Sequence, residues 1–439
     1  MESYTNGKIT TLKTKSKIKV LVVPSDRTGV GYFRSTKPHV TLEELYPEEF
    51  HVDIDYAPKY NNEEWLKQYD IIHYHRTFGP YEEMEETLNR LDKLDIVSFM
   101  DIDDHWSPGE HHPAYTIIKN SGMDVKIKNN IKLARNVITT TNLFTDLIKK
   151  TNPNANVFIL PNAIDPTESQ YTPNPEPSER LRIGWLGGSS HLRDLEILKG
   201  VASKLKYEGL IDKVQFVICG FDLRGTMTMI DQQTGKQTQR PIKPMESVWY
   251  QYEKIFTDDY DTVSEDYKNF LLSFKKGEYP GIQNEPYRRV WTKPITTYAS
   301  NYNLFDVSLA PIEEHVFNKV KSQLKVIEAG FHKKAMIAQD YGPYQIDLIP
   351  YLNKSNNKKI QEKIVNPEGN ALLVKTSKNH KDWYKNIKTL IENPSMVEEL
   401  RNNLHNTVKN TYSINAVCKS RKEIYINSLI KKDILTTTL

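Results

Sequence analysis

Three carboxylates and an imidazole crowd into six residues, "DIDDHW" at 101–106: Asp101, Asp103, Asp104 and His105. Such a cluster can bind hydroxyls, accept a proton or hold a cation. Its plainer use is a helix N-cap by Asp103 or Asp104. The following "GEHHP" (109–113) adds two histidines, but without the spacing of a metal site. In "PSDRTGVGYFR" (24–34), Gly29 and Gly31 would let the backbone approach a ligand closely. Tyr32, Phe33 and Arg34 would stand at the mouth of that loop. Arg34 sits where a dinucleotide fingerprint has its third glycine, so this is not that fingerprint. A tight strand-to-helix turn is the alternative.

Two further stretches could take an anion. In "GWLGGSSHLRDL" (184–195), Gly187, Gly188, Ser189 and Ser190 would expose N–H groups ahead of a helix, and Arg193 would add charge. A glycine turn with a serine cap would look the same. "FNKVKSQLKVIEAGFHKKAMIAQDYGPY" (317–344) reads as an amphipathic helix running into a strand. At about 100° per residue, Val320, Leu324, Ile327 and Phe331 share one stripe. Lys321, Lys325 and Glu328 share a second stripe at the edge of the first. A glutamate there can accept both hydroxyls of a ribose, while lysines and helix-terminal amides hold phosphates. A solvated ion-pair face is the alternative. "YRRVWTKP" (287–294) sets Arg288, Arg289 and Lys293 around Trp291, as a diphosphate clamp or as plain surface.

The elements that must position these groups alternate between strand and helix. Strands are expected at 19–24, 51–57, 70–75, 96–102, 136–141 and 156–162, with helical periodicity in "YEEMEETLNRLDKL" and "VKIKNNIKLAR". Strand–helix alternation implies a parallel sheet covered on both faces. A proline-rich stretch, "DPTESQYTPNPEPSER" (165–180), reads as a stiff linker. The alternation restarts with strands at 182–188, 214–220, 304–311, 335–340 and 371–375, and with a helix from about Asp194 to Lys206. Residues 221–303 read as an insertion, with a hairpin or loop in "DLRGTMTMIDQQTGKQTQR" and helices near 246–256 and 262–275. Helices close the chain. The expected layout is a disordered lead-in (1–16), an N-terminal Rossmann-like domain (17–165), a linker (166–180), a C-terminal Rossmann-like domain (181–411) and a last helix (412–439). In open α/β sheets ligands bind at the carboxyl ends of the strands.

Composition narrows the function classes. The chain has 439 residues, 38% of them hydrophobic and 26% charged, as suits a soluble globular protein. No apolar run approaches the roughly 20 residues of a membrane span, and the N-terminus lacks the apolar core of a secretory signal. The net charge of +3 supplies no global field for nucleic acid. Two cysteines, Cys219 and Cys418, exclude a disulfide framework and fit a reducing cytoplasm.

Several of these stretches together resemble a known group. "LPNAIDP" (160–166), "GWLGG" and "FNKVKSQLKVIEAG" followed by "MIAQDYGPY" are similar to retaining glycosyltransferases of the GT-B fold, closest to family four and its bacterial and phage relatives. The resemblance implies two Rossmann-like domains facing across a cleft, with the last helix, "YSINAVCKSRKEIY", crossing back onto the first domain. It implies that Glu328 binds the nucleotide ribose, as the second glutamate of an E-x7-E motif whose first position here is Val320. Asn318, Lys321, Ser322 and Leu324 fall on the sugar- and phosphate-facing part, with Lys325 one turn further in. Gly187, Gly188, Ser189 and Arg193 fall on the diphosphate side, with Arg289 as an outlying candidate. Gly29, Gly31, Tyr32, Arg34 and Asp104 fall on the acceptor side. His105 matches a histidine near the acceptor, and His105, Asp103 and Lys321 are the expected catalytic groups.

The function implied is transfer of a sugar from a nucleotide-diphosphate sugar to a hydroxyl acceptor, with retention. The acceptor would be a glycan, a lipid-linked molecule or another hydroxyl compound. No metal and no cofactor beyond the donor is expected. The location would be the cytoplasm, or the inner face of a membrane held peripherally. Three rivals share the fold: a nucleotide-sugar epimerase, a glycosyltransferase acting on modified DNA, and a non-catalytic carbohydrate-binding or virion-associated protein. The lack of a clear basic stripe argues against the DNA reading.

Overall fold

The computed structural model describes residues 2–5, 8–12, 17–230, 237–354, 363–375, 379–432 and 435–438. The chain forms two compact units. The first comprises Met1–Pro166, His315–Leu324 and Asn410–Leu439; the second comprises Thr167–Glu314 and Lys325–Lys409.

The first unit is built on a six-stranded parallel sheet. In spatial order its strands are Phe50–Ile54, Ile18–Val23, Ile71–His75, Val97–Asp101, Asn136–Thr139 and Asn156–Ile159. Numbered along the chain, that order is 2-1-3-4-5-6. The direction of winding therefore reverses between Ile18–Val23 and Ile71–His75, which is a topological switch point. Every residue of Ile71–His75 and Val97–Asp101 is buried, because helices cover both faces. The helix Ile414–Lys431 supplies part of that cover. Its Val417, Cys418, Tyr425 and Leu429 share a core with Val20 and Val22 of the sheet.

The second unit repeats the design with a different order. Its strands run Tyr287–Trp291, Val214–Phe221, Leu181–Leu186, Val307–Ala310, Ala335–Gln339 and Leu372–Val374, all parallel. Numbered within the unit this is 3-2-1-4-5-6, the dinucleotide-fold order, and its switch point lies between Leu181–Leu186 and Val307–Ala310. Both units are α/β with doubly wound parallel sheets, as the alternation in the sequence predicts.

Five local expectations are revised. The helix predicted from 317 breaks into Val316–Lys319 and Leu324–Phe331. The break has anchors. Val320 is buried in the first unit's core, Ser322 Oγ accepts from Asn162 Nδ2 at 3.0 Å, and Gln323 Nε2 donates to the Tyr412 hydroxyl at 3.0 Å. The two predicted stripes therefore do not form. The helix expected from Asp194 to Lys206 is two, Leu192–Glu196 and Val201–Tyr207. Gly200 separates them at φ +98°, and Asp258 accepts from the N–H groups of Gly200 and Ser203.

Most of the expected insertion is core. The helices Val248–Thr257 and Glu265–Leu272 pack Trp249, Tyr252, Phe256 and Tyr267 onto the second sheet and lead into its strand Tyr287–Trp291. The hairpin Thr226–Ile230 with Gln237–Pro241 stands outside that plan. The start of the expected linker is packed, since Gln170 and Tyr171 are buried and the Tyr171 ring lies 5.8 Å from that of His332, whereas residues 172–179 are exposed. In the lead-in, Glu2–Thr5 and Lys8–Leu12 are strands, joined by Leu435–Thr438 in an antiparallel sheet. Among the described residues, no helix is long and apolar enough to cross a membrane.

Candidate functional site

Each switch point gathers residues singled out in the sequence. In the second unit, the loop 187–190 leaves strand Leu181–Leu186 at its carboxyl end. Gly187 is needed there: a Cβ would lie 2.4 Å from Trp185 Cζ2 and 3.1 Å from Lys325 Nζ. Gly188 has open space around it, and both it and Ser189 are exposed. The Lys325 ammonium donates to the Leu186 carbonyl and lies 5.0 Å from the Trp185 ring centroid. Lys325 thus joins the helix Leu324–Phe331 to this loop. Tyr252 pins the loop from the other side, accepting from His191 N–H at 2.8 Å and donating to the Gly188 carbonyl at 3.2 Å. Arg193 is exposed and pairs with Glu196 at 2.8 Å.

Glu328 is buried one turn beyond Lys325. Its Oε1 accepts from the Tyr298 hydroxyl and its Oε2 from the Tyr302 hydroxyl at 3.0 Å. Burial raises its proton affinity, against the two phenol hydrogen bonds and the Lys325 charge, which lower it. The two tyrosines are four residues apart on one turn, and so are Glu328 and His332, whose ring stacks on Tyr302 with centroids 5.0 Å apart. Burial also pushes the His332 imidazole down to about 3, leaving it neutral.

Arg289, considered for the diphosphate, is committed elsewhere. It forms a buried two-point ion pair with Glu253, Nε–Oε2 at 2.8 Å and Nη2–Oε1 at 2.6 Å, with its guanidinium 4.2 Å from the Phe221 ring. It braces strand Tyr287–Trp291 against the helix Val248–Thr257.

At the switch point of the first unit lies a cavity of about 700 Å³. Its lining includes Pro24 and Asp26 from the end of one strand, His75 and Arg76 from the end of the next, and Tyr56, Tyr60 and Tyr81. His75 Nε2 and Asp103 Oδ1 are 3.1 Å apart. Burial opposes ionisation of Asp103, but the His75 hydrogen bond and the charges of Arg76 and Arg34 hold the carboxyl well below its usual range. Asp104 goes the other way. Burial and the neighbouring Asp103 charge raise it, against Lys321, Arg76 and His75. The two neighbouring carboxyls are thus shifted in opposite directions, a pattern found where protons move.

His105 is half-buried beside this cluster. Its Nδ1 accepts from Ser107 N–H at 2.9 Å, its ring stacks on Trp106, and burial lowers its proton affinity.

The remaining predicted residues divide into loop and scaffold. Gly31 allows a close turn, since a Cβ there would meet the Asp26 carbonyl at 1.9 Å, whereas Gly29 has open space. Tyr32 is half-buried, edge-on to Phe33. Arg34, expected at the mouth of this loop, is instead buried, at 1% exposure. It grips Asp101 through two bonds of 3.0 and 2.9 Å, and also reaches the Leu160 carbonyl and Asn162 Oδ1. Asn162 then donates to Ser322, so Arg34 acts on the segment 315–324 from behind. Lys321 is half-buried over the Phe317 ring, Asn318 is buried, and Leu324 is half-buried.

His75, Arg76, Tyr252, Tyr298 and Tyr302 were not singled out by sequence. For His75 a signal existed. "DIIHYH" puts His73 and His75 at two-residue spacing on an otherwise apolar buried strand, matching Asp101 and Asp103 on the next strand and its continuation. The tyrosines carried no such signal among the 25 in the chain.

The two sheets, with these strand orders, give the chain the GT-B fold of glycosyltransferases. Among solved structures, it resembles sucrose-phosphate synthase from Thermosynechococcus elongatus, with a TM-score of 0.56 and 14% identity over 95% of this chain and 100% of that one. A glycosyltransferase from Rickettsia africae ESF-5 gives 0.53 and 13% over 94% and 99%. Alr3699/HepE from Anabaena, solved in complex with UDP and glucose, gives 0.53 and 11% over 93% and 99%. No family model and no curated protein matches the sequence.

Proposed function

We propose that this protein is a glycosyltransferase that moves a sugar from a nucleotide-diphosphate sugar to a hydroxyl acceptor. One observation carries the reading: Lys325, the open Gly188–Ser189 loop and Glu328 converge at the switch point of a 3-2-1-4-5-6 sheet, where this topology binds nucleotides. The solved neighbour in complex with UDP and glucose supports the same class of donor.

In this reading the second unit holds the donor. Glu328 takes the ribose hydroxyls. Each of its oxygens has one acceptor site beyond its tyrosine bond, and the half-buried Tyr298 phenol is the group that yields to the ribose. Backbone N–H groups of Gly187, Gly188 and Ser189 face the diphosphate, with Arg193 adding a donor as charge develops on the leaving group. The first unit takes the acceptor in its cavity beside Gly29, Gly31, Tyr32 and Asp104. There His75, oriented by Asp103, accepts the hydroxyl proton. Retention and metal independence follow the family resemblance, and two buried free thiols fit a cytoplasmic setting. Incubation with a panel of nucleotide sugars tests the proposal. Release of a nucleoside diphosphate supports it, and failure to bind or turn over any of them refutes it.

A further inference from the structure

The cavity at the first unit's switch point has a feature that a neutral acceptor does not need. Arg76 lines it in the left-handed backbone region, at φ +62°, which is strained for a non-glycine residue. Such strain persists where the surroundings impose it, and it gathers at ligand clamps. Here Arg76 N–H donates to the Asp101 carbonyl at 3.1 Å, and its own carbonyl accepts from Asn130 Nδ2 at 3.1 Å. Both bonds hold the residue in that conformation.

Its guanidinium is not used up. Nε has no hydrogen-bond partner among the described residues, and the side chain is 31% exposed. Its ion-pair partner, Asp103 Oδ1, is 3.7 Å from Nη2 and already faces His75 at 3.1 Å. The carboxylate that lines the cavity is occupied: Asp26 accepts from Thr28 N–H at 2.7 Å, Thr28 Oγ1 at 3.1 Å and Ser25 Oγ at 2.8 Å. Three tyrosines, Tyr56, Tyr60 and Tyr81, contribute amphipathic walls, with the Arg27 guanidinium 4.1 Å from the Tyr56 ring centroid.

We infer that the acceptor carries an anionic group, a phosphate or a carboxylate, which Arg76 binds in the fork geometry that guanidinium offers. This rests on the acceptor cavity of the proposed function, but its test does not use the donor. Glucose, glucose 6-phosphate and glucuronate are titrated calorimetrically into the full chain without nucleotide sugar, alongside Arg76→Lys and Arg76→Asn. Asparagine tolerates the left-handed backbone.

The expected result is that one charged probe binds at least about tenfold more tightly than glucose. A preference for glucose 6-phosphate identifies phosphate, and one for glucuronate identifies carboxylate. Arg76→Asn should abolish the preference and Arg76→Lys retain part of it, with UDP affinity unchanged in both. Equal binding of all three probes, or a preference that survives Arg76→Asn, overturns the inference. Either result stands apart from donor turnover: loss of the proposed activity would leave the anion preference readable, and the reverse holds too.

Discussion

Replacing Tyr302 by phenylalanine isolates the interaction that holds Glu328. The ring stays, with its stack on His332, and one hydrogen bond of 3.0 Å to a buried carboxylate is lost. A bond to a charged group contributes about 1.5–3 kcal/mol. At about 2–4 °C per kcal/mol for a unit of this size, the expected loss is about 3–12 °C in Tm. The pH dependence has a defined sign. Burial already raises Glu328 above its ordinary value, so its ionisation weakens the fold as pH rises from the usual glutamate range through the folded-state value. Removing a donor that favours the ionised form raises that value further. The penalty of Tyr302→Phe should therefore be smaller in acid and grow toward neutral pH. Scanning calorimetry across that range measures it, with Tyr207→Phe, 85% exposed, as the control. A variant that melts like the parent at every pH would show that the phenol does not hold Glu328.

Three other outcomes follow from the geometry. Gly187→Ala should disturb the fold, because its Cβ would strike Trp185, whereas Gly188→Ala should fold normally, so a change in its UDP affinity by calorimetry reports a contact with the ligand itself. Arg289→Ala should cost the second unit about 3–5 kcal/mol by leaving Glu253 buried and unpaired; denaturant unfolding checks this, and a double change to Arg289→Met with Glu253→Leu should recover most of the loss. His75→Gln should lower kcat far more than it changes donor KM, with Asp103→Asn showing a weaker form of the same effect; steady-state kinetics with a turned-over nucleotide sugar checks both.

Much of the fold was legible in the sequence because period and punctuation act locally. Eleven of the twelve strands of the two main sheets fall where β-branched runs were read, and the one missed, Tyr287–Trp291, carries two arginines and a tryptophan that look like surface. Its arginines are neutralised by Glu253 and by Glu176 and Glu278, partners 36 and 112 residues away for Arg289 and Arg288 in two of the bonds. No local pattern reports such pairing. The same limit explains Arg34, whose partner Asp101 is 67 residues distant. The broken helix at Val320 fails for a related reason: its periodicity was correct, but burial in a different unit outweighed it. Residues that open loops need, such as Gly31 and Gly187, were readable because their steric demand is local. The cavity was not, since its walls come from strand ends brought together only by the switch in sheet order.

Calorimetric titration of UDP, and of the other nucleoside diphosphates, into the intact chain and into Glu328→Ala tests the central claim most directly. The account predicts saturable binding of at least one of them to the parent chain and clear weakening in a Glu328→Ala variant that remains folded. Binding of none, or an affinity unchanged by Glu328→Ala, would contradict it.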